Sequence, residues 1–259
     1  MSAFLRDQFI KNVTIDEITL GRISDFFIRK SQSTGFAEDA QPTLLSYTIR
    51  FDNRGYKLTQ FKDVLRLYSE AKHVERIIFT LESQRSLQTT RAEGTCVELK
   101  LDKTQDNACY LVVSADDEEW VDHTFDSIIE IVRDATNYHA LLRGPWTSFF
   151  VQVSGVIFGF FICLWITTLL APHLKAEDSF SISFIFVFII YANVWTIINQ
   201  QTLKLINYIF PNILFKRKNR DNLHWVLQTI LGGVIVAIVI FILGHALSYV
   251  TKIASGFIK

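Results

Sequence analysis

The sequence predicts a two-layer α+β domain followed by an all-α membrane domain of three transmembrane helices. Three observations lead there. Three apolar stretches, at about 149–171, 180–198 and 225–247, contain no Lys, Arg, Asp or Glu, and each meets the ~20 residues that a helix needs to cross the hydrocarbon of a bilayer. The 145 residues before them carry short segments of alternating polarity and helical apolar stripes instead. Charge divides the same way: residues 1–146 hold 18 Lys/Arg against 23 Asp/Glu, and residues 147–259 hold 8 against 3. The expected domains are therefore 1–145, a soluble sensor or interaction domain, and 146–259, a membrane domain.

The soluble elements follow in order. Thr14-Ile-Asp-Glu17 fits a capping box ahead of Ile18, Ile23, Phe26 and Phe27 at loosely helical spacing. Val13, Ile15, Ile18 and Leu20 fit a strand equally well. Residues 31–42 form a loop of small and polar residues. Leu45, Tyr47, Ile49 and Phe51 alternate with polar residues as in a half-buried strand, closed by a turn at Asp52-Asn53-Arg54-Gly55. Phe61, Val64, Leu65 and Tyr68 mark one helix face. Strands follow at 74–81, 95–101 and 109–113, with a polar loop over 83–94. A helix over 117–135 has Trp120, Phe125, Ile128, Ile129 and Val132 as its stripe. The order is β-α-β-β-β-α, a small sheet with helices on one face. Its opening β-α-β unit predicts one parallel pair of strands.

Gly144-Pro145 predicts a break between the last soluble helix and the first span. The linker is short, so movement of the soluble domain should reach the first span. After the second span, residues 199–215 suggest an interfacial helix interrupted near Pro211, with Leu203, Ile206, Ile209, Phe210 and Ile213 on its apolar face. It ends in Lys216, Arg217, Lys218 and Arg220. Basic loops stay on the cytoplasmic side, and such a cluster also attracts anionic lipid. The expected protein is a multi-pass one of the inner (cytoplasmic) membrane, with its N-terminal domain in the cytoplasm and its C-terminus outside. No secretory signal is visible over residues 1–11.

Candidate sites are few. Cys96, Cys109 and Cys163 are scattered and suit small buried residues in a reducing compartment. Asp116-Asp117-Glu118-Glu119 stands at a predicted helix start, where acids cap free N–H groups and complement the macrodipole. The competing use of that run is a metal-dependent activity with His123. No hydrolase, dinucleotide, P-loop or zinc-helix motif occurs, so an enzyme is not expected, nor a cofactor or resident metal. In the 83–94 loop, Arg85, Arg91, Thr89 and Thr90 could hold a small anionic ligand; an exposed polar loop is the plainer alternative. The net acidic soluble domain argues against nucleic acid.

Within the spans, Gly155 and Gly159 have the spacing that lets helix backbones approach, and Gly233 with Ala237 repeats it in the third. Packing inside one chain and self-association fit that spacing equally. Asn193 is expected to hydrogen-bond to another helix. No charged residue sits at mid-membrane, which argues against a secondary transporter.

The layout of a cytosolic domain before a few membrane helices is similar to that of membrane effectors of bacterial defence. The resemblance is one of architecture, and it implies a recognition event that alters the assembly or packing of the helices, up to opening the membrane. The expected partners are the lipid bilayer and a homo-oligomer or partner protein. The alternative is a non-catalytic structural or scaffold subunit of a larger membrane complex.

Overall fold

The computed structural model describes residues 4–33, 43–137, 142–174, 177–217, 229 and 233. The chain divides into two compact units, Met1–Lys216 and Arg217–Lys259. In the second, only Arg217, Thr229 and Gly233 are described, the last two helical. The rest of the third predicted span, Ala237 included, and the basic residues Lys218 and Arg220 lie outside the described residues.

The first unit contains a sheet domain and two long apolar helices. Its strands are β1 (Phe4–Phe9), β2 (Val13–Ile15), β3 (Thr43–Phe51), β4 (Arg54–Leu58), β5 (Val74–Ser83), β6 (Cys96–Asp102), β7 (Tyr110–Ala115) and β8 (Ile213–Phe215). Six of them form one sheet in the order β1-β7-β6-β5-β3-β4, antiparallel throughout. Strands β2 and β8 form a separate parallel pair. The helices of the sheet domain are α1 (Glu17–Ser33), α2 (Phe61–Glu70), α3 (Gln84–Gln88) and α4 (Glu118–Asp134).

Side-chain alternation builds the core. Tyr47 and Ile49 of β3, Ile77, Phe79 and Leu81 of β5, Val97, Leu99 and Leu101 of β6, and Leu111 and Val113 of β7 all point to one face and are buried. Leu20, Ile23 and Phe27 of α1, Val64 and Tyr68 of α2, and Val121, Phe125 and Ile128 of α4 cover that face. This is the predicted two-layer arrangement.

Four features correct the expectations. The strands flanking α2 are not parallel: β3 and β5 pair antiparallel because a hairpin intervenes. Asp52 and Asn53, both at positive φ, make a two-residue turn, and the chain returns as β4. Helix α1 is capped by Asp16, whose carboxylate accepts the Thr19 N–H at 2.8 Å, while Thr14 belongs to β2. Strand β1 was not anticipated; its FLRDQF sequence does not alternate in polarity, and as an edge strand it is exposed nearly throughout.

The two long helices are α5 (Pro145–Leu170) and α6 (Ser179–Ile209). Pro145 opens α5 after Gly144, as expected. Both are long and apolar enough to cross a membrane, with mean hydropathy 2.2 and 2.1 and only 17% and 11% of the residues in their most apolar windows buried. Of the predicted interfacial helix, residues 199–209 are helical as a continuation of α6 and the interruption near Pro211 is present, but 213–215 are not helical. Helix α6 runs unbroken to Ile209, Phe210 leaves the helical region ahead of Pro211, and residues 213–215 become a strand.

Candidate functional site: the junction of sheet and helices

Strand β8 follows α6 directly and is built into the sheet domain. Ile213 is fully buried and joins the same apolar core as Phe27 and Phe79, together with Phe215. Its main chain runs parallel to β2, with Val13 opposite Ile213 and Ile15 opposite Phe215. The far side of β2 is tied to the end of α4, where the Thr14 N–H donates to the Ala135 carbonyl at 2.8 Å.

Polar groups lock this junction. Asn212 is 3% exposed. Its side-chain oxygen accepts the Asn12 N–H at 2.8 Å, its amide donates to the Ile10 carbonyl at 3.2 Å, and its carbonyl accepts the Val13 N–H at 3.0 Å. Asn12 sits at φ 58°, a left-handed conformation that asparagine tolerates. The Tyr68 hydroxyl reaches across from α2 to the carbonyls of Ile15 (2.9 Å) and Lys216 (3.1 Å). Its ring meets Phe215 edge-on. Burial in this region pushes the Cys109 thiol up.

A second tie lies at the entry to α5. Arg143, whose side chain is 12% exposed, pairs with Asp106 in the β6–β7 connection and donates to the Phe210 carbonyl at 2.7 Å. One guanidinium thus joins the sheet domain, the start of α5 and the end of α6. A planar fork of donors suits such a three-way contact.

Within the hairpin, Gly155 and Gly159 face α6 of the same chain. A Cβ on Gly155 would fall inside the Trp195 indole, and one on Gly159 inside the Tyr191 ring. The Tyr191 hydroxyl donates to the Gly155 carbonyl at 2.6 Å. The glycine groove is therefore filled by the chain's own aromatics. Asn193 is exposed and bonds to the Ile189 carbonyl of its own helix at 2.9 Å, not to another helix.

Comparison with protein-family models, curated proteins and solved structures returned no match.

The predicted ligand loop is an ion-pair network. Residues 84–88 form α3, with the Ser83 hydroxyl accepting the Ser86 N–H. Arg85 pairs with Glu93 at 2.5 Å and Asp116 at 3.8 Å. Arg91 pairs with Glu82 at 2.7 Å and Glu98 at 2.6 Å on the sheet face away from the helices. The Thr89 hydroxyl donates within the turn, and Thr90 is exposed at φ 56°. The two guanidinium groups serve separate carboxylate sets and do not converge on one point. Burial works against the Arg91 charge, but Cys96, Glu98 and Glu82 around it hold it above the ordinary range. Burial pushes the Cys96 thiol up to about 11. Burial, with Glu98 beside it, pushes Tyr110 up to about 12.

The acidic run caps α4: the Asp117 carboxylate accepts the Glu119 N–H at 3.0 Å, and Glu118 and Glu119 fill the first turn. His123 faces α1, with its Nδ1 3.5 Å from Lys30 Nζ. It lines a shallow groove of about 430 Å³ between α1 and α4 with Phe26, Arg29, Lys30 and Glu130. Burial lowers the Lys30 pKa. Among the described residues no three His, Cys, Asp or Glu side chains cluster as a metal site. What sequence reasoning missed is the junction itself. Asn212 lies 202 positions from Ile10, Tyr68 148 from Lys216, and Arg143 67 from Phe210, and no local pattern marks such a meeting.

Proposed function

We propose that this chain is a membrane-anchored recognition module, in which binding at the sheet domain changes the packing of membrane-spanning helices. The observation that carries the proposal is the insertion of β8 into the sheet-domain core immediately after α6. A domain joined to a hairpin only by the linker before α5 could tilt freely. Here both ends of the hairpin are gripped, one by Arg143 and one by Asn212 and Tyr68. A shift of a strand or helix in the domain is then a shift at the base of α6. Packed interfaces pass on such shifts as discrete rearrangements.

The helices α5 and α6 supply the span by length and apolarity. Lys216 follows β8 on the sheet-domain side, and the tendency of basic loops to remain inside supports a cytoplasmic side for that domain. An odd third span would then leave the C-terminus outside. In the effector form of the proposal, the rearranged helices depolarise the membrane.

The structural-subunit alternative draws on one specific observation: the groove at Gly155 and Gly159 is closed by Trp195 and Tyr191 of the same chain. A hairpin sealed in this way suits an anchor. Induced expression with a membrane-potential dye, paired with native mass spectrometry of the gently extracted protein, separates the two. Depolarisation by a discrete homo-oligomer supports the effector. A fixed complex with another protein and an unchanged potential supports the subunit and overturns the effector.

A further inference from the structure

We propose that the helix-bearing end of the sheet domain is a docking surface for an anionic membrane surface, formed by Lys11, Arg54, Lys72, Lys103 and Lys216. The inference rests on the reading of α5 and α6 as membrane spans and extends it to loops distant in sequence from them.

The antiparallel sheet decides which loops share this end. Strand β1 finishes at Phe9 opposite Tyr110, β6 finishes at Asp102 opposite Arg76, and β3 finishes at Phe51 opposite Val74. The connections 10–12, 103–109, 71–73 and 52–53 therefore emerge together. The first two carry the contacts to the helices, through Asn12 to Asn212 and Asp106 to Arg143. The Lys103 N–H donates to the Glu75 carbonyl, and the Asp52 N–H to the His73 carbonyl, which joins the other two to the same surface.

The charge at this end is sorted. Lys11, Arg54, Lys72, Lys103 and Lys216 are all exposed. The acids near them are engaged within the fold. Asp52 accepts the N–H groups of Lys72 (3.0 Å) and His73 (2.9 Å). Glu75 holds Arg50 and the Asn53 N–H, Asp102 holds Arg76, and Asp106 holds Arg143. Among the described residues, Glu17 and Glu70 are the exposed acids of this end outside such pairings. A shallow groove of about 480 Å³, lined by Phe51, Asp52, Asn53, Arg54 and Lys72, lies within the surface. At the opposite end of β7 stand the exposed acids Asp116, Asp117, Glu118 and Glu119. The helix-bearing end thus exposes five basic groups against Glu17 and Glu70, while at the far end the exposed acids 116–119 are met by Arg85 through Asp116.

Helix length sets the level of this surface. The 31 residues of α6 extend about 46 Å at 1.5 Å per residue, against about 40–45 Å for a bilayer with its headgroups. Its last turn, and the loops tied to it, then lie at the outer boundary of the headgroup layer. Basic groups there are attracted by anionic lipid over roughly one Debye length.

The test is hydrogen exchange on the full chain reconstituted into nanodiscs of phosphatidylcholine, alone or mixed with phosphatidylglycerol. Exchange at 10–12, 52–54, 71–73 and 103–106 should slow several-fold in the anionic discs, with 116–119 unchanged. The slowing should disappear at high salt and in the K11E/R54E/K72E/K103E variant. Equal exchange in both lipids overturns the docking surface and leaves the spans standing. A chain that stays soluble without detergent and does not enter the discs overturns both.

Discussion

The side-chain oxygen of Asn212 accepts the main-chain N–H of Asn12 at 2.8 Å, across 200 positions of sequence. That bond, with the return bond from the Asn212 amide to Ile10, closes the sheet domain over the end of the second long helix. Replacing Asn212 by Ala leaves the part-buried Asn12 N–H and the buried Ile10 carbonyl without these partners, at a cost of about 1–3 kcal/mol. The expected outcome is a lower melting temperature in detergent and faster hydrogen exchange at 10–15 and 213–215. Exchange in β5 and β6, at the sheet centre, should change least.

Arg143 gives a second prediction. Arg143→Ala removes the ties to Asp106 and to the Phe210 carbonyl together, and hydrogen bonds to charged groups are worth about 1.5–3 kcal/mol. Arg143→Lys should restore less than half of the loss, because a point charge cannot address both acceptors in the geometry of a fork. Thermal denaturation of the three proteins side by side checks the ranking; full rescue by Lys would show that charge alone matters.

Gly155→Leu should force α5 away from α6, since the new side chain occupies the space of the Trp195 indole. Overpacking of this kind costs about 1–3 kcal/mol or more. Trp195→Ala should recover part of that cost when combined with Gly155→Leu, while destabilising the wild-type background. A double-mutant cycle measures the coupling, and additive effects would mean that the two positions do not meet.

Acid sensitivity should track Asp102. Burial by itself would raise its carboxyl, but hydrogen bonds from Thr104 and Arg76 outweigh burial and hold it below the ordinary range. A folded pKa below the unfolded value, about 3.9, means that the stabilisation is complete above that value and is lost as pH falls through the folded pKa. Stability should therefore be flat from neutral pH down to about 5 with respect to this group and decline below about 4. Asp16, lowered by the Thr19 N–H and hydroxyl against its burial, adds to the same limb. Urea midpoints measured from neutral to acid pH should show a shallower decline in Asp102→Asn, from a lower starting stability.

The sheet core was legible because its strands alternate strictly. Leu45 to Phe51, Val97 to Leu101 and the stripe of α4 each declare one buried face within a few residues. The acids at 116–119 were legible as caps for the same reason, a local chemistry at a helix start. The antiparallel relation of β3 to β5 was hidden because it depends on a two-residue turn at positive φ, followed by β4, whose residues are nearly all exposed. Strand β8 was hidden more deeply. Three residues, Ile213 to Phe215, continue an apolar helical stretch without a change of composition, and only a partner near the N-terminus makes them a strand. Arg85 and Arg91 stood out as cations on a polar loop, but the acids that meet them come from other segments, Glu82, Glu98 and Asp116 among them. Cross-strand partners of this kind have no signature in sequence spacing.

The pairing of β2 with β8 also has a consequence for the order of biogenesis. Synthesis runs from the N-terminus at roughly 5–20 residues per second. Val13–Ile15 leaves the ribosome long before Ile213–Phe215, and both long helices emerge in between. Until then the slot for Ile213 and Phe215 in the apolar core stands open, and the Tyr68 hydroxyl lacks one of its two acceptors. Maturation of the sheet domain therefore waits on delivery of the hairpin, and a chain that ends before residue 213 leaves that core incomplete.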